Sequence, residues 1–66
     1  MRLIINGESR DLQDVRTVKE LLDVLGVDHQ TVAVMINGEI VGRGDFQKSA
    51  LETQDAVEIV RFVGGG

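Results

Sequence analysis

The dipeptide Asn-Gly occurs twice, at Asn6-Gly7 and Asn37-Gly38, and each copy lies between short runs of alternating apolar residues. An Asn-Gly pair supplies the positive φ angles of a type I′ turn, whose twist matches that of the two strands it joins. Each copy therefore predicts strand, tight turn and short return strand, the first from Arg2 through about Leu12 and the second across "TVAVMINGEIV". Between them, "TVKELLDVLG" places Val18, Leu21, Leu22 and Leu25 at the i, i+3, i+4, i+7 spacing of one helical face. Thr17 with Glu20 reads as a capping box at the start of this helix, and Gly26 suits the left-handed residue that ends it. A last alternation in "AVEIVRFV" sets Val57, Ile59 and Arg61 against Glu58, Val60 and Phe62, which predicts a closing strand. The connecting stretch "GRGDFQKSALETQDA" has no clear period, and Phe46 and Leu51 are the residues expected to tie it to the core.

One helix with one apolar stripe covers one face of a sheet. The fold class expected is therefore α+β, with a mixed sheet of four to five strands and a single helix across one face. Residues 1–63 form one domain in this reading, and 64–66 form a flexible tail of three glycines. Leu3, Ile5, Val34, Ile36, Val57 and Ile59 make up the inner set, facing the helix. Ile4, Met35, Val60 and Phe62 then fall on the outer face, with Val63 continuing the last strand. That outer set is too apolar for a face that meets only water, and it reads as a partner surface if the first and last strands are neighbours.

Composition narrows the chemistry. A chain of 66 residues allows one domain, and one so small buries only about 60% of the surface its unfolded form exposes. It is short of core for a preformed catalytic pocket. There is no cysteine, so disulfides, thiolate metal sites and thiol nucleophiles are excluded, and a single histidine, His29, makes neither a metal cluster nor a triad. A net charge of −4 disfavours general binding to nucleic acid or anionic membrane. No apolar run approaches the length of a membrane span, and "MRLIING" lacks the apolar core of a signal peptide, so a cytoplasmic location is expected. Asp11, Asp14, Glu52 and Asp55 read as turn formers and solvated surface, and Arg2, Lys19, Arg43 and Arg61 as charges that tune encounter with partners.

The closing "VRFVGGG" remains to be explained. Glycines after a strand usually redirect the chain, but read as a terminus these redirect nothing. Gly64, Gly65 and Gly66 would extend roughly 10 Å beyond the domain as a thread without side chains, carrying a carboxylate with no Cβ beside it. A carboxylate is a poor electrophile. An ATP-dependent partner would have to convert it to an acyl-adenylate before a sulfur, oxygen or nitrogen nucleophile could attack.

The layout and the Gly-Gly ending resemble the β-grasp, ubiquitin-like family. "INGE", "TVKELLDVLG", "VAVMINGEIV" and "DAVEIVRFVGGG" look in particular like its bacterial sulfur-carrier branch of the MoaD/ThiS type, along essentially the whole chain. The resemblance implies that Gly66 is adenylated by an E1-like enzyme of the ThiF type and converted to a thiocarboxylate. It further implies that the sulfur goes to thiazole synthase, ThiG, in thiamine biosynthesis. By position, Gly65 and Gly66 match the Gly-Gly motif, while Met35 and Val60 fall where ubiquitin-like proteins keep an apolar recognition patch. On this reading the domain is a carrier and not an enzyme, is monomeric when free, and binds no cofactor, ATP being used by the activating partner. A small subunit of molybdopterin synthase, a ubiquitin-like protein modifier, and an interaction module with an idle tail are the alternatives.

Overall fold

The computed structural model describes residues 1–62. Both Asn-Gly pairs adopt the positive φ angles their sequence predicts, at 49° and 84° for Asn6 and Gly7 and at 50° and 86° for Asn37 and Gly38. The first turn joins β1 (Arg2–Ile5) to β2 (Glu8–Asp11), and the second joins β3 (Val32–Ile36) to β4 (Glu39–Val41). Between the hairpins lies α1 (Val18–Leu25), and β5 (Ala56–Arg61) closes the order. A 3-10 turn, Arg43–Asp45, opens the connection that showed no clear period, and another, His29–Thr31, takes in Thr31, which the sequence placed in the second hairpin.

The helix ends are made by the residues that announce them. Thr17 Oγ1 accepts from the Glu20 amide at 3.2 Å, and Glu20 Oε1 reaches back to the Arg16 amide at 2.8 Å, one residue before the usual partner in a capping box. At the other end Gly26 takes φ 71°, and the amides of Gly26 and Val27 close onto the carbonyls of Asp23 and Leu22.

The sheet order is β2-β1-β5-β3-β4, so the last of the described strands is the central one. It runs parallel to β1, with Ile4 opposite Ala56 and Ile5 opposite Val57, and antiparallel to β3 from Val57 to Arg61. This is the β-grasp arrangement: two hairpins form the flanks, and the connection after β4 carries the chain back so that β5 enters between them. Phe46 and Leu51, 4% and 5% exposed, hold that connection to the core as expected. It is tied further by a bridge between Thr17 and Ala50 and by a hydrogen bond from the Leu51 amide to the Arg16 carbonyl.

The inner set packs where the alternation put it. Leu3, Ile5, Val34 and Val57 are buried against Val18, Leu21 and Leu22 of α1, and Ile36 and Ile59 are half-buried beside them. Val15 and Val32 complete this core. Among the described residues, no helix is long and apolar enough to cross a membrane.

Candidate functional site: the outer sheet face and the strand that leads to the terminal glycines

Strand alternation places Ile4, Ala33, Met35, Ile40, Ala56, Glu58 and Val60 on the face away from the helix. Cross-strand register then fixes which of them meet. Met35 lies opposite Ile40 on one side and Glu58 on the other, and Ala33 lies opposite Val60. Val60 is 54% exposed, Phe62 57% and Ile40 77%, whereas Ile4 and Met35 are half-buried. An apolar strip therefore runs from Ile40 over Met35 and Ala33 to Val60, with Phe62 just beyond the end of β5. Ile4, next to Ser9 and Ala56, stands apart from it. Its neighbour Ala56 is four residues before Val60, about 13 Å at the rise of a strand, and Glu58 intervenes.

The sequence reading did not single out Ile40. Its signal was present, since an apolar residue two positions past an Asn-Gly turn belongs to the return strand. Assigning it to the outer face required the register of β3 against β4.

β5 is held on both sides. Its antiparallel ladder with β3 covers Val57 to Arg61. On the β1 side the backbone pairing stops when the chain turns at Asn6, and the Asn6 side chain continues it. Asn6 Oδ1 accepts from the Ile59 amide at 2.8 Å, and Asn6 Nδ2 donates to the Ile59 carbonyl at 3.2 Å. Asn37, in the second turn, serves the other end of the strand: its Oδ1 accepts from the Ala56 amide at 2.9 Å and its Nδ2 donates to Asp55 at 3.0 Å. The last anchor is the Phe62 amide, which donates to the Thr31 carbonyl at 2.9 Å. The backbone is thus fixed up to residue 62. Val63, Gly64, Gly65 and Gly66, named from the sequence as the patch's extension, the thread and the modified residue, lie outside the described residues.

Several of the titratable residues considered in the sequence sit in structural roles. Asp55 accepts from the Glu52 amide at 2.9 Å, making the turn before β5, and Asp14 occupies a left-handed turn position at φ 59°. Asp11 lies 3.6 Å from the terminal ammonium. His29, in its 3-10 turn, shares a 2.8 Å hydrogen bond between Nε2 and Asp23 Oδ1 and sets its ring edge-on to Phe46 at 6.3 Å. Lys19 Nζ donates to the other Asp23 oxygen at 2.9 Å. The Lys19 hydrogen bond, with that of His29 assisting, holds the Asp23 carboxyl below its ordinary value of 3.8. The His29 bond pins the helix to the turn after it, and the Lys19 bond lies along the helix itself.

Comparison with known proteins agrees with this geometry. The family model for the ThiS family matches residues 3–66. A thiazole synthase of Paramagnetospirillum magneticum is 47% identical over 66 residues, which are all of this chain and 20% of that protein, so the chain spans about a fifth of that relative's length. The sulfur carrier protein ThiS of Bacillus subtilis is 37% identical over 65 residues, 97% of this chain and 98% of that one. The crystal structure of thiamine biosynthesis protein ThiS from Geobacter metallireducens superposes with a TM-score of 0.85 at 36% identity, covering 100% of both chains. With the sheet order, the family match along nearly all of the sequence and a full-length structural relative in agreement, this chain belongs to the ThiS family.

Proposed function

We propose that this chain carries sulfur for thiazole formation in thiamine biosynthesis, on the carboxylate of Gly66. The observation that carries the reading is the course of β5. A central strand, paired on both sides and exposing Val60, is followed by the exposed Phe62, and in the sequence one further residue separates Phe62 from the glycines. A rigid stem beside an apolar docking strip suits a domain that is gripped by its outer face while its end enters another protein's active site. The partner surface is the strip of Met35, Val60 and Phe62 with Ile40, extended by Val63 and, further off, Ile4.

The chemistry belongs to the end of the chain. A ThiF-type enzyme joins the Gly66 carboxylate to the AMP portion of ATP, releasing pyrophosphate. A sulfide equivalent attacks the acyl carbon and AMP departs, leaving a thiocarboxylate. Its sulfur is a softer and better nucleophile than carboxylate oxygen, and it passes to thiazole synthase, ThiG. The sequence contains no cysteine, so the terminal carboxylate is the group on which sulfur can travel. Relatives named thiazole synthase contain a stretch like this chain within one polypeptide, which supports an encounter between the two activities here.

The test is to incubate the chain with ATP, a ThiF-type enzyme and a sulfur donor and to weigh it intact. The expected gain is that of one oxygen replaced by sulfur, localised to Gly66 by fragmentation. An unchanged mass with an enzyme active on another ThiS protein would overturn the proposal.

A further inference from the structure

β5 presents its residues alternately to two faces, so that Val60 belongs to the outer strip while its neighbour Arg61 points to the helix side. There Arg61 borders a depression of about 420 Å³ together with Arg10 of β2. Its apolar floor comes from Ile5 and Ile59 of the sheet and from Leu25 and Val27 at the end of α1. We propose that this depression is a second docking surface, taking an extended acidic segment of a protein partner in which an apolar side chain is flanked by carboxylates. The proposal goes beyond the carrier reading and does not rest on it.

Charge and shape select that occupant. The chain has 7 Lys and Arg against 11 Asp and Glu, yet two of the seven converge here. Among the described residues, neither guanidinium enters an ion pair or donates a hydrogen bond. Each is free to take a carboxylate, for which the guanidinium fork is the matching donor. Asn6, at the edge of the depression, has its side-chain amide turned to the Ile59 backbone and carries no charge. A small anion would use the arginines and leave the four-residue apolar floor wet, and the depression is too open to enclose a small molecule. A peptide that lays an apolar side chain on the floor uses both features.

The net charge of −4 repels an acidic partner at a distance. At physiological salt that repulsion is screened beyond about 8 Å, whereas carboxylates in contact with the two arginines lie well inside that range. Contact therefore decides the sign of the interaction.

The experiment is a titration of the 15N-labelled full chain with a synthetic peptide alternating aspartate and valine. Expected are saturable amide shifts at Arg10, Val27 and Arg61, weakened by added salt. Arg10→Glu and Arg61→Glu should each loosen binding by roughly tenfold or more, and Val60→Asp should leave it unchanged. Both arginine variants alter exposed side chains, and their free spectra report whether the fold is kept; Arg10→Gln and Arg61→Gln serve if it is not. No shifts up to millimolar peptide, shifts centred on Met35 and Val60, or equal binding of a peptide with lysine in place of aspartate would each overturn the proposal.

Discussion

The side-chain amide of Asn6 and the main chain of Ile59, 53 positions apart in sequence, exchange two hydrogen bonds of 2.8 and 3.2 Å. Asn6 thereby acts as one more residue of β1 after the backbone has turned away, and it does so opposite the half of β5 that leads to the glycines. The same residue makes the type I′ turn at φ 49°. Asn6→Gly preserves the turn and removes the clamp. The expected loss is about 1–2 kcal/mol, because two neutral hydrogen bonds are exchanged for bonds to water. Urea unfolding measures it, and faster amide exchange at Ile59 without change at Leu3 shows that the loss is local. Asn6→Ala should cost more, since it loses the clamp and also strains a left-handed position.

Val60 and Leu22 separate docking from folding. Val60 is 54% exposed and Leu22 is fully buried on the only helix among the described residues. Val60→Asp or Phe62→Asp should change stability by no more than about 0.5 kcal/mol, as surface substitutions usually do, while abolishing capture by the activating enzyme. Leu22→Ala should cost about 2–5 kcal/mol in a core this small. Thermal unfolding and a pull-down on immobilised ThiF-type enzyme read the two effects separately. Normal capture of Val60→Asp would refute the outer strip as the docking site.

Acid should weaken the hydrogen bonds that Lys19 and His29 make to Asp23. In the folded chain the Asp23 carboxyl titrates below its ordinary value of 3.8, so the unfolded chain binds that proton first as pH falls. The contribution is fully present above that ordinary value and disappears as pH drops through the lower, folded one. Asp23→Asn removes it, so the stability difference between wild type and variant should shrink below about pH 4. Chemical denaturation across pH 2–7 (approximate bounds set by the same ordinary carboxyl range) gives both curves. A difference that stays constant to the acid end would remove the ion pair from the account.

Much of this arrangement was legible in the residues because it is local. The two turns are carried by Asn-Gly, the helix by its stripe and caps, and the inner set by period-2 alternation. The neighbouring of β1 and β5, on which the partner-surface reading depended, is now seen in the pairing of Ile4 with Ala56 and Ile5 with Val57. What sequence reasoning missed depends on register between distant segments. The Asn6 clamp on Ile59, the convergence of Arg10 with Arg61, and the place of Ile40 beside Met35 all require knowing which residues face one another across strands far apart in the chain. The bond of His29 to Asp23 needed the 3-10 turn, which has no apolar period to announce it.

Ile40 gives the sharpest check on the extent of the outer strip. At 77% exposed it is among the most solvated large apolar side chains described, and it stands on a three-residue edge strand opposite Met35. An exposed isoleucine on a sheet edge invites unwanted strand pairing, and its place opposite Met35 makes it the next residue to test if the outer strip docks a partner. Ile40→Thr keeps a β-branched residue, so the strand should survive with stability changed by no more than about 0.5 kcal/mol. If the strip is continuous, the substitution weakens binding to the activating enzyme, and combining it with Met35→Ala gives a non-additive loss of about 0.5 kcal/mol or more, as contacting residues do. Calorimetric titration of the four proteins closes the cycle. Strict additivity with undiminished binding of Ile40→Thr would end the strip at Met35 and leave Val60 and Phe62, next to the glycines, as its working part.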